Sequence, residues 1–241
     1  NFAPTPLARD NLLREGRNPA NIYVTGNTVI DAMRHTVRTD YTHPELDWVG
    51  DHKLIFITAH RRENLGQPMR QMFRAIRRVM EEHPDVKAIY PIHMNPVVRR
   101  TAAKYLEGCD RIRIIEPLEV LDFHNFLARS YMVLTDSGGI QEETVTLGIP
   151  TVVMRYSNER SEGMCAGVLK LVGSGEDGIY EVVKRLLEPD STEYAAMKKL
   201  SLLLTFVMMT NILNAFDAQM ARGRQLVPVT KTDISLVKEI F

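Results

Sequence analysis

In the stretch Tyr131-Met-Val-Leu-Thr-Asp-Ser-Gly-Gly-Ile-Gln-Glu-Glu143, a predicted strand ends, two glycines turn the chain, and a predicted helix begins. The apolar run from Tyr131 to Thr135 has the length and composition of a buried strand. The helix is predicted from Ile140 to Leu147. A buried strand followed at once by a helix is the repeating unit of a parallel α/β sheet.

The same alternation continues on both sides of this stretch. The other predicted strands are Leu54–Thr58, Val86–Tyr90, Ile112–Ile115 and Thr151–Met154. The helices predicted between them are Pro68–Glu82, Pro96–Leu106 and Val120–Ala128. Parallel strands require crossover connections, and helices then cover both faces of the sheet. The sequence therefore predicts a doubly wound, Rossmann-like α/β domain, with ligands bound at the carboxyl ends of its strands.

The composition excludes several kinds of partner. The chain has 241 residues, 44% of them hydrophobic and 25% charged, which is typical of a globular protein. Lys plus Arg and Asp plus Glu both number 30, so nothing favours nucleic acid or an anionic membrane as partner. Cys109 and Cys165 lack metal-ligand spacing, and we expect two reduced thiols in a cytoplasmic protein. No signal peptide or initiator Met opens the chain, so we expect an internal start.

The glycine turn after the strand at Tyr131–Thr135 is the first candidate site. Unpaired N–H groups at a helix N-terminus can hold a phosphate, and Gly138 and Gly139 allow a ligand to approach the backbone. Ser137 can add a hydroxyl donor, and Glu143 suits ribose hydroxyls. The alternative is a plain strand-to-helix turn capped by Ser137 or Asp136.

Two further strand ends carry basic and imidazole groups. Thr58–Asn64 places His60 and Arg61 in one loop, where they could grip a phosphate. The alternative is a solvated loop with a local Arg–Glu ion pair. Tyr90–Pro96 adds His93 at the same end of the sheet, although a lone histidine is more often structural.

The last two strand-end segments complete the candidate site. Met154–Glu162 contains Arg160, which could reach a pyrophosphate, and Pro117–Phe123 could border a base through its backbone or the Phe123 ring. Each motif alone has an ordinary structural explanation. Because all of them follow predicted strands, they should meet at one edge of the sheet, and this favours a ligand site.

Together these motifs resemble those of the non-hydrolysing UDP-N-acetylglucosamine 2-epimerases. Phe2-Ala-Pro-Thr and Gly26-Asn-Thr-Val-Ile-Asp-Ala32 are similar to the passage between the two lobes of that family, and the likeness runs from about Phe2 to about Lys199. The family has a GT-B-like two-lobe fold, so the resemblance implies that this chain is the C-terminal lobe. It also implies interconversion of UDP-GlcNAc and UDP-ManNAc through elimination of UDP, without a cofactor or metal, in a homodimer.

The resemblance assigns roles to individual residues. It implies that Ser137, Gly138 and Gly139 bind the diphosphate and that Glu143 binds the ribose. It also implies that Arg160 and His60 contact the nucleotide and that His60 is catalytic. Phe123 and the backbone near Leu118 would border uracil. Arg61 and His93 match positions of a regulatory UDP-GlcNAc site. Ser161 stands where the family usually has proline, which puts the position of Arg160 in question.

Three segments follow from the resemblance. Residues 1–25 are the end of an absent N-terminal lobe plus a hinge, residues 26–200 are the UDP-binding lobe, and residues 201–241 are an aberrant tail. The absent lobe supplies the family's acidic catalytic residues. In the tail, Met208-Met209-Thr210 requires ATG ATG ACN codons, and reading from the third base of the Val207 codon forces Asp-Asp. The shifted frame then permits Lys-(His/Tyr)-Ser-Glu-Arg-Ile, where the family has a run like Asp-Gly-Lys-Ala-Ser-Glu-Arg-Ile. We therefore predict a frameshift in the gene or its sequencing.

Two other functions are compatible with the motifs. One is a GT-B glycosyltransferase that uses a UDP-sugar; the His-Arg-Arg-Glu-Asn run at residues 60–64 favours the epimerases over it. The other is a module that binds UDP-GlcNAc without chemistry, because the catalytic carboxylates of the family are missing. The DNA upstream of Asn1 would discriminate between a fragment and such a module.

Overall fold

The computed structural model describes residues 1–157 and 167–200. The described chain falls into two compact units, Asn1–Gly26 and the part that begins at Asn27. In the first unit, β1 (Phe2–Ala3) pairs in parallel with β2 (Tyr23–Val24). Helix α1 (Pro6–Arg14) connects them, and the Thr5 hydroxyl caps it by accepting the Ala8 N–H at 3.2 Å. The sequence predicts a helix from Pro6 to Glu15 and a short extended link from Asn21 to Thr25, and both are present in this unit.

The second unit alternates strands and helices. Its strands are β3 (Lys53–Thr58), β4 (Val86–Pro91), β5 (Ile112–Ile115), β6 (Met132–Thr135), β7 (Thr151–Val153) and β8 (Leu169–Leu171). Its helices are α2 (Thr28–Thr36), α3 (Pro44–Val49), α4 (Gln67–Glu82), α5 (Pro96–Leu106), α6 (Val120–Ala128), α7 (Gly139–Thr146) and α8 (Glu176–Leu187). Residues 192–200 are also helical.

The six strands form one parallel sheet in the order β5-β4-β3-β6-β7-β8. The first strand in the chain, β3, therefore has β4 on one side and β6 on the other. The strand order reverses between β3 and β6, and doubly wound sheets bind ligands in the crevice at this point. The predicted α/β fold is confirmed, and the β3 and β6 loops stand at the crevice.

Strand β3 shows why the sheet forms. Its side chains alternate between the two faces, and both faces are covered. Ile55 and Ile57 pack in the core under α4, α5 and α8, whereas Leu54 and Phe56 pack with α3 and α6. Their near-complete burial explains the continuous apolar run, since a strand with one exposed face would alternate with polar residues.

Several elements lie outside the sequence prediction. These are α2, α3, β8 and α8. None of the described helices is long and apolar enough to cross a membrane. Arg160, Ser161, Cys165 and the tail from residue 201 lie outside the described residues.

Candidate functional site

The crevice is bordered by the carboxyl ends of β3 and β6. Thr58 and Thr135 are the last residues of these strands and are aligned in register. Their hydroxyl oxygens lie 2.6 Å apart, and the Ser137 N–H donates to the Thr135 hydroxyl at 2.9 Å. Paired hydroxyls at the end of two central strands fix where both loops leave the sheet.

Asp136 joins the two loops. Its carboxylate is completely buried and accepts the N–H groups of His60 at 3.1 Å and Arg61 at 2.9 Å. It also accepts a hydrogen bond from the side-chain amide N–H of Asn64 at 2.9 Å. Buried carboxylates require such donors, because an unpaired charge in the interior is costly. The loop after β3 is therefore held by a side chain from the loop after β6.

Helix α7 begins at this junction. Gly138 is the N-cap, and no side chain caps the helix in the described structure. Gly138 itself has ordinary helical dihedral angles and is buried, whereas Gly139 is exposed. A Cβ atom added at Gly139 would meet no atom within 4 Å. The helix thus presents an uncapped, open N-terminus, which is the geometry that binds phosphate groups.

His60 lies beside this helix end through the Asp136 connection. Its ring stacks on the His93 ring, with centroids 5.3 Å apart and planes 15° apart. Burial lowers the pKa of His60, partly offset by the nearby Asp136 carboxylate. The imidazole is therefore mostly neutral at pH 7 and can donate one hydrogen bond without carrying charge. His93 is exposed, so the stacked pair extends from the loop towards solvent.

An ion-pair cluster connects β7 to the β3 loop. The buried Arg155, which directly follows β7, contacts the Glu63 carboxylate at 3.2 Å. Arg61 contacts the same Glu63 oxygen at 3.4 Å. The local Arg–Glu pair of the alternative interpretation is present in the loop, but Glu63 also pairs, at a shorter distance, with Arg155 from another strand end.

Glu143 lies on α7, one turn beyond the glycines. Its side chain is 13% exposed, and its Oε2 atom is buried without a hydrogen-bond partner in the part of the chain that the structure describes. Burial, followed by repulsion from Glu142, raises the pKa of Glu143 to about 7. An under-satisfied buried carboxylate is stable only when something compensates its cost, and hydroxyl donors of a ligand would do so.

Phe123 and Leu118 form an apolar wall at the start of α6. Both are partly buried in the core cluster around Phe56 and Phe126. The Phe123 ring meets Phe56 edge-to-face at a centroid distance of 5.3 Å. The next residue, His124, places its Nε2 atom 3.8 Å from Glu143 Oε2, so the apolar wall adjoins the carboxylate.

The structure brings together most of the predicted residues. Asp136, directly before Ser137, Gly138 and Gly139, accepts the backbone N–H groups of His60 and Arg61, and the His60 ring stacks on His93. Glu143 lies 3.8 Å from His124, the neighbour of Phe123, and Leu118 packs against the same core cluster as Phe123. The residues that sequence reasoning missed are Asn64, Arg155, His124 and, as a connector of loops, Asp136. The sequence does contain one sign of the role of Asp136. An acidic residue directly after a buried apolar strand requires hydrogen-bond partners in the interior. Within the described residues, no group of three or more His, Cys, Asp or Glu side chains could hold a metal ion.

This arrangement resembles known proteins in sequence and structure. Residues 1–203 match the model of the UDP-N-acetylglucosamine 2-epimerase family. A Bacillus subtilis UDP-N-acetylglucosamine 2-epimerase is 56% identical over 200 residues, which cover 83% of this chain and 52% of the relative.

Two solved structures superpose on the fold. The S. aureus MnaA–UDP co-structure has a TM-score of 0.77 and 48% identity, covering 82% of this chain and 52% of that chain. The Neisseria meningitidis UDP-GlcNAc 2-epimerase bound to UDP-GlcNAc has a TM-score of 0.74 and 33% identity, covering 87% of this chain and 61% of that chain. The chain thus spans about half the length of the curated relatives that it matches. By the extent of the family match and of these likenesses, the chain belongs to the UDP-N-acetylglucosamine 2-epimerase family.

Proposed function

We propose that this chain is the UDP-binding half of an isomerase that interconverts UDP-GlcNAc and UDP-ManNAc by inverting C2. The observation that carries the proposal is the open N-terminus of α7 at the strand-order reversal, with His60 held beside it by Asp136. Two neighbours of the same fold were solved with UDP and with UDP-GlcNAc, which supports a UDP-sugar as the ligand.

The nucleotide would occupy three adjoining parts of the site. The diphosphate lies at Ser137, Gly138 and Gly139, where N–H groups of the helix end offset its charge. The ribose hydroxyls donate to the Glu143 carboxylate, which is under-satisfied because its Oε2 atom accepts no hydrogen bond from the described residues. Uracil borders Phe123 and the Leu118 backbone, and Arg160, outside the described residues, adds a contact to the nucleotide.

The reaction requires a leaving group that accepts negative charge. In elimination, a base removes the C2 proton, the C1–O bond breaks, and UDP departs to leave 2-acetamidoglucal. Re-addition of UDP at C1 with protonation of C2 on the opposite face gives the epimer. His60 is the catalytic residue of this half, because a neutral imidazole donates a hydrogen bond to the departing phosphate oxygen.

The groups that move the C2 proton would come from the half that the relatives have beyond this chain. Residues 1–25 would then be the passage between the lobes, residues 26–200 the nucleotide lobe, and residues 201–241 a frameshifted tail. Arg61 and His93, on the solvent side of His60, would face a second, regulatory UDP-GlcNAc. We further propose a cytoplasmic homodimer; the free thiol of Cys109 is compatible with a reducing compartment.

Calorimetry with the 241-residue chain tests the nucleotide site. We expect UDP to bind and uridine, which lacks the diphosphate, to bind at least about tenfold more weakly, since charge-assisted phosphate contacts supply much of the affinity. Equal binding of uridine and UDP would place the ligand elsewhere. We also expect no epimerisation by the chain alone, because each absent proton-transfer group is worth about 10²–10⁴-fold in rate.

A further inference from the structure

A chain of three polar groups connects α2, α6 and α7 next to the candidate ribose site. Thr36 Oγ1, at the end of α2, lies 2.6 Å from His124 Nδ1. On the other side of the ring, His124 Nε2 lies 3.8 Å from Glu143 Oε2. His124 is only 3% exposed, and the Glu143 oxygen that it faces accepts no hydrogen bond from any described residue.

We propose that His124 is a positioning residue for Glu143: its imidazole holds one carboxylate oxygen, so that the other oxygen faces the hydroxyls of the nucleotide's ribose. This inference rests on the proposed role of Glu143 in nucleotide binding. The 3.8 Å separation exceeds a hydrogen bond by about 1 Å, which a small rotation of the Glu143 side chain closes.

The Thr36 hydroxyl determines which ring nitrogen carries the proton. It lies within reach of two acceptors, His124 Nδ1 at 2.6 Å and the Ala32 carbonyl at 3.2 Å. When the hydroxyl donates to Nδ1, the ring proton stands on Nε2 and points at an ionised Glu143. When the hydroxyl donates to Ala32, Nδ1 carries the proton, and the bare Nε2 can accept from a protonated Glu143.

The imidazole therefore serves both states of Glu143 while remaining uncharged. Burial lowers the pKa of His124, which disfavours an imidazolium ion at neutral pH. Burial raises the pKa of Glu143 to about 7, so both of its states are populated there. A side chain that can switch between donor and acceptor suits such a carboxylate better than a fixed donor.

Neighbouring contacts hold the three groups in place. The Asn125 side chain donates to the Thr36 carbonyl at 2.6 Å and accepts the Arg38 N–H at 2.9 Å, which fixes α6 against the end of α2. Glu142, on the same helix as Glu143, accepts a hydrogen bond from Asn27 at the start of α2.

Those contacts also define the charges around the carboxylate. Glu142 from α7 raises the pKa of Glu143, and His124 faces Glu143 from α6. The hydrogen bonds from the α2 side to His124 and Glu142 come from the uncharged Thr36 and Asn27, whereas the charged Asp31, Arg34 and His35 lie elsewhere along α2. Since the ionised carboxylate is the better acceptor for ribose hydroxyls, affinity should rise with pH through about 7. Loss of the His124 donor should move that rise to higher pH.

Binding of UDP-GlcNAc to the 241-residue chain between about pH 6 and 8.5 tests the proposal, because a diphosphate diester does not itself titrate in this range. We expect His124→Leu to weaken binding about tenfold at pH 7.5 and to move the midpoint upward by about one pH unit, since hydrogen bonds to charged groups are worth about that much. His124→Gln, whose amide can donate to Glu143, should restore most of the affinity. An unshifted profile in His124→Leu would overturn the proposal.

Two further variants keep the test decisive. Thr36→Val preserves shape but removes the hydroxyl that sets the tautomer, and a shift in its profile is expected even if His124→Leu does not fold. Glu143→Gln should abolish the pH dependence, and binding that ignores this change would refute the proposed ribose contact instead. If wild type does not bind, ¹³C NMR titration of Glu143 still decides: we expect its pKa to rise in His124→Leu and to return towards the wild-type value in His124→Gln, whose amide can donate, and equal pKa values in the two variants would overturn the proposal.

Discussion

Asp136 shows how much of the site depends on one buried carboxylate. It accepts backbone N–H groups from His60 and Arg61 and the amide of Asn64. Asp136→Asn would direct an NH₂ group at one of these donors, so we expect a loss of about 2–4 kcal/mol in unfolding free energy. Urea denaturation measures it, with Asp110→Asn at an exposed position as the control. Equal effects at both positions would mean that the loops hold together without Asp136.

The ionised Glu143 carboxylate should lower the stability of the folded chain, although the same carboxylate is proposed to bind the ribose. Its pKa in the folded chain, about 7, lies above the unfolded value, so its protonated form favours folding. The resulting stability is fully present below about pH 4 and is lost as the pH rises through about 7. Because glutamine does not ionise, we expect Glu143→Gln to be more stable than wild type by about 1–3 kcal/mol at pH 8 but not at pH 4.

Urea denaturation at the two pH values checks this sign. Glu181→Gln, an exposed position on α8, should leave the difference between the pH values unchanged. A Glu143→Gln variant less stable than wild type at pH 8 would show that the carboxylate is satisfied in the folded chain.

At the scale of single residues, the sequence indicated the candidate ligand-binding groups but not the residues that hold them in place. Ser137, the glycines and His60 follow strand ends, and position alone identifies them. The contact of Arg155 with Glu63 and the contact of His124 with Glu143 each join residues more than 15 positions apart. Neither contact leaves a local pattern, so only the folded structure reveals it.

Helix α7 is the element on which the proposed nucleotide site depends. Gly139 does not adopt a left-handed conformation, and a Cβ atom there would enter open space. Gly139→Ala should therefore stabilise the free chain by about 0.4–1 kcal/mol through the unfolded state. The same methyl group would stand where the diphosphate approaches the backbone, and we expect UDP affinity to fall at least about tenfold, since charge-assisted contacts lengthen.

A matched glycine begins another helix. Gly175 is the N-cap of α8, also without a side-chain cap, and among the described residues a Cβ atom there would approach only the Tyr156 hydroxyl, at 4.0 Å. Calorimetry with UDP should find Gly175→Ala unchanged in affinity. If the two variants bind UDP equally well, the diphosphate does not rest on α7.

The elements that sequence reasoning predicted are those with a strong local pattern. The amphipathic α4 buries Met69, Phe73 and Ile76 at helical spacing, and the predicted and observed bounds differ by one residue. Strand β8 has only three residues, Leu169–Leu171, and two of them are partly exposed. Its position at the edge of the sheet is set by pairing with β7 rather than by its own sequence, and this explains why no pattern predicted it.

For the whole molecule, the sequence predicted the fold class but not the order of the strands in the sheet. Alternating strands and helices imply a parallel sheet, but the reversal between β3 and β6 depends on which crossover passes to which side. That reversal is what brings the His60 loop next to α7, more than 70 residues later in the chain. The resemblance to the family led us to expect a nucleotide at this crevice. The fold gives a physical reason for it, because the strand order reverses at the crevice and an uncapped helix begins there.

Catalysis is a property of the whole enzyme, and a chimera can test the part played by this chain. The fusion joins this chain to the half of the B. subtilis relative that the chain does not cover. We expect this fusion to convert UDP-GlcNAc to UDP-ManNAc, and proton NMR of the anomeric signals measures the conversion. His60→Ala in that fusion should lower kcat about 10²–10³-fold, the usual cost of removing one donor to a developing oxyanion.

The alternative role for His60 is to order its loop. Its backbone N–H, which binds Asp136, survives in the alanine variant, so the loop should stay attached and Tm should fall little. His35→Ala, at an exposed position on α2, controls for removal of an imidazole elsewhere. A His60→Ala fusion with a lowered Tm and near-normal kcat would assign His60 to the support of the loop. A fusion that loses kcat but keeps its Tm would support a contact between the imidazole and the phosphate oxygen that leaves C1. An unchanged Tm would mean that the loop is still folded, so the lost rate must come from the missing imidazole.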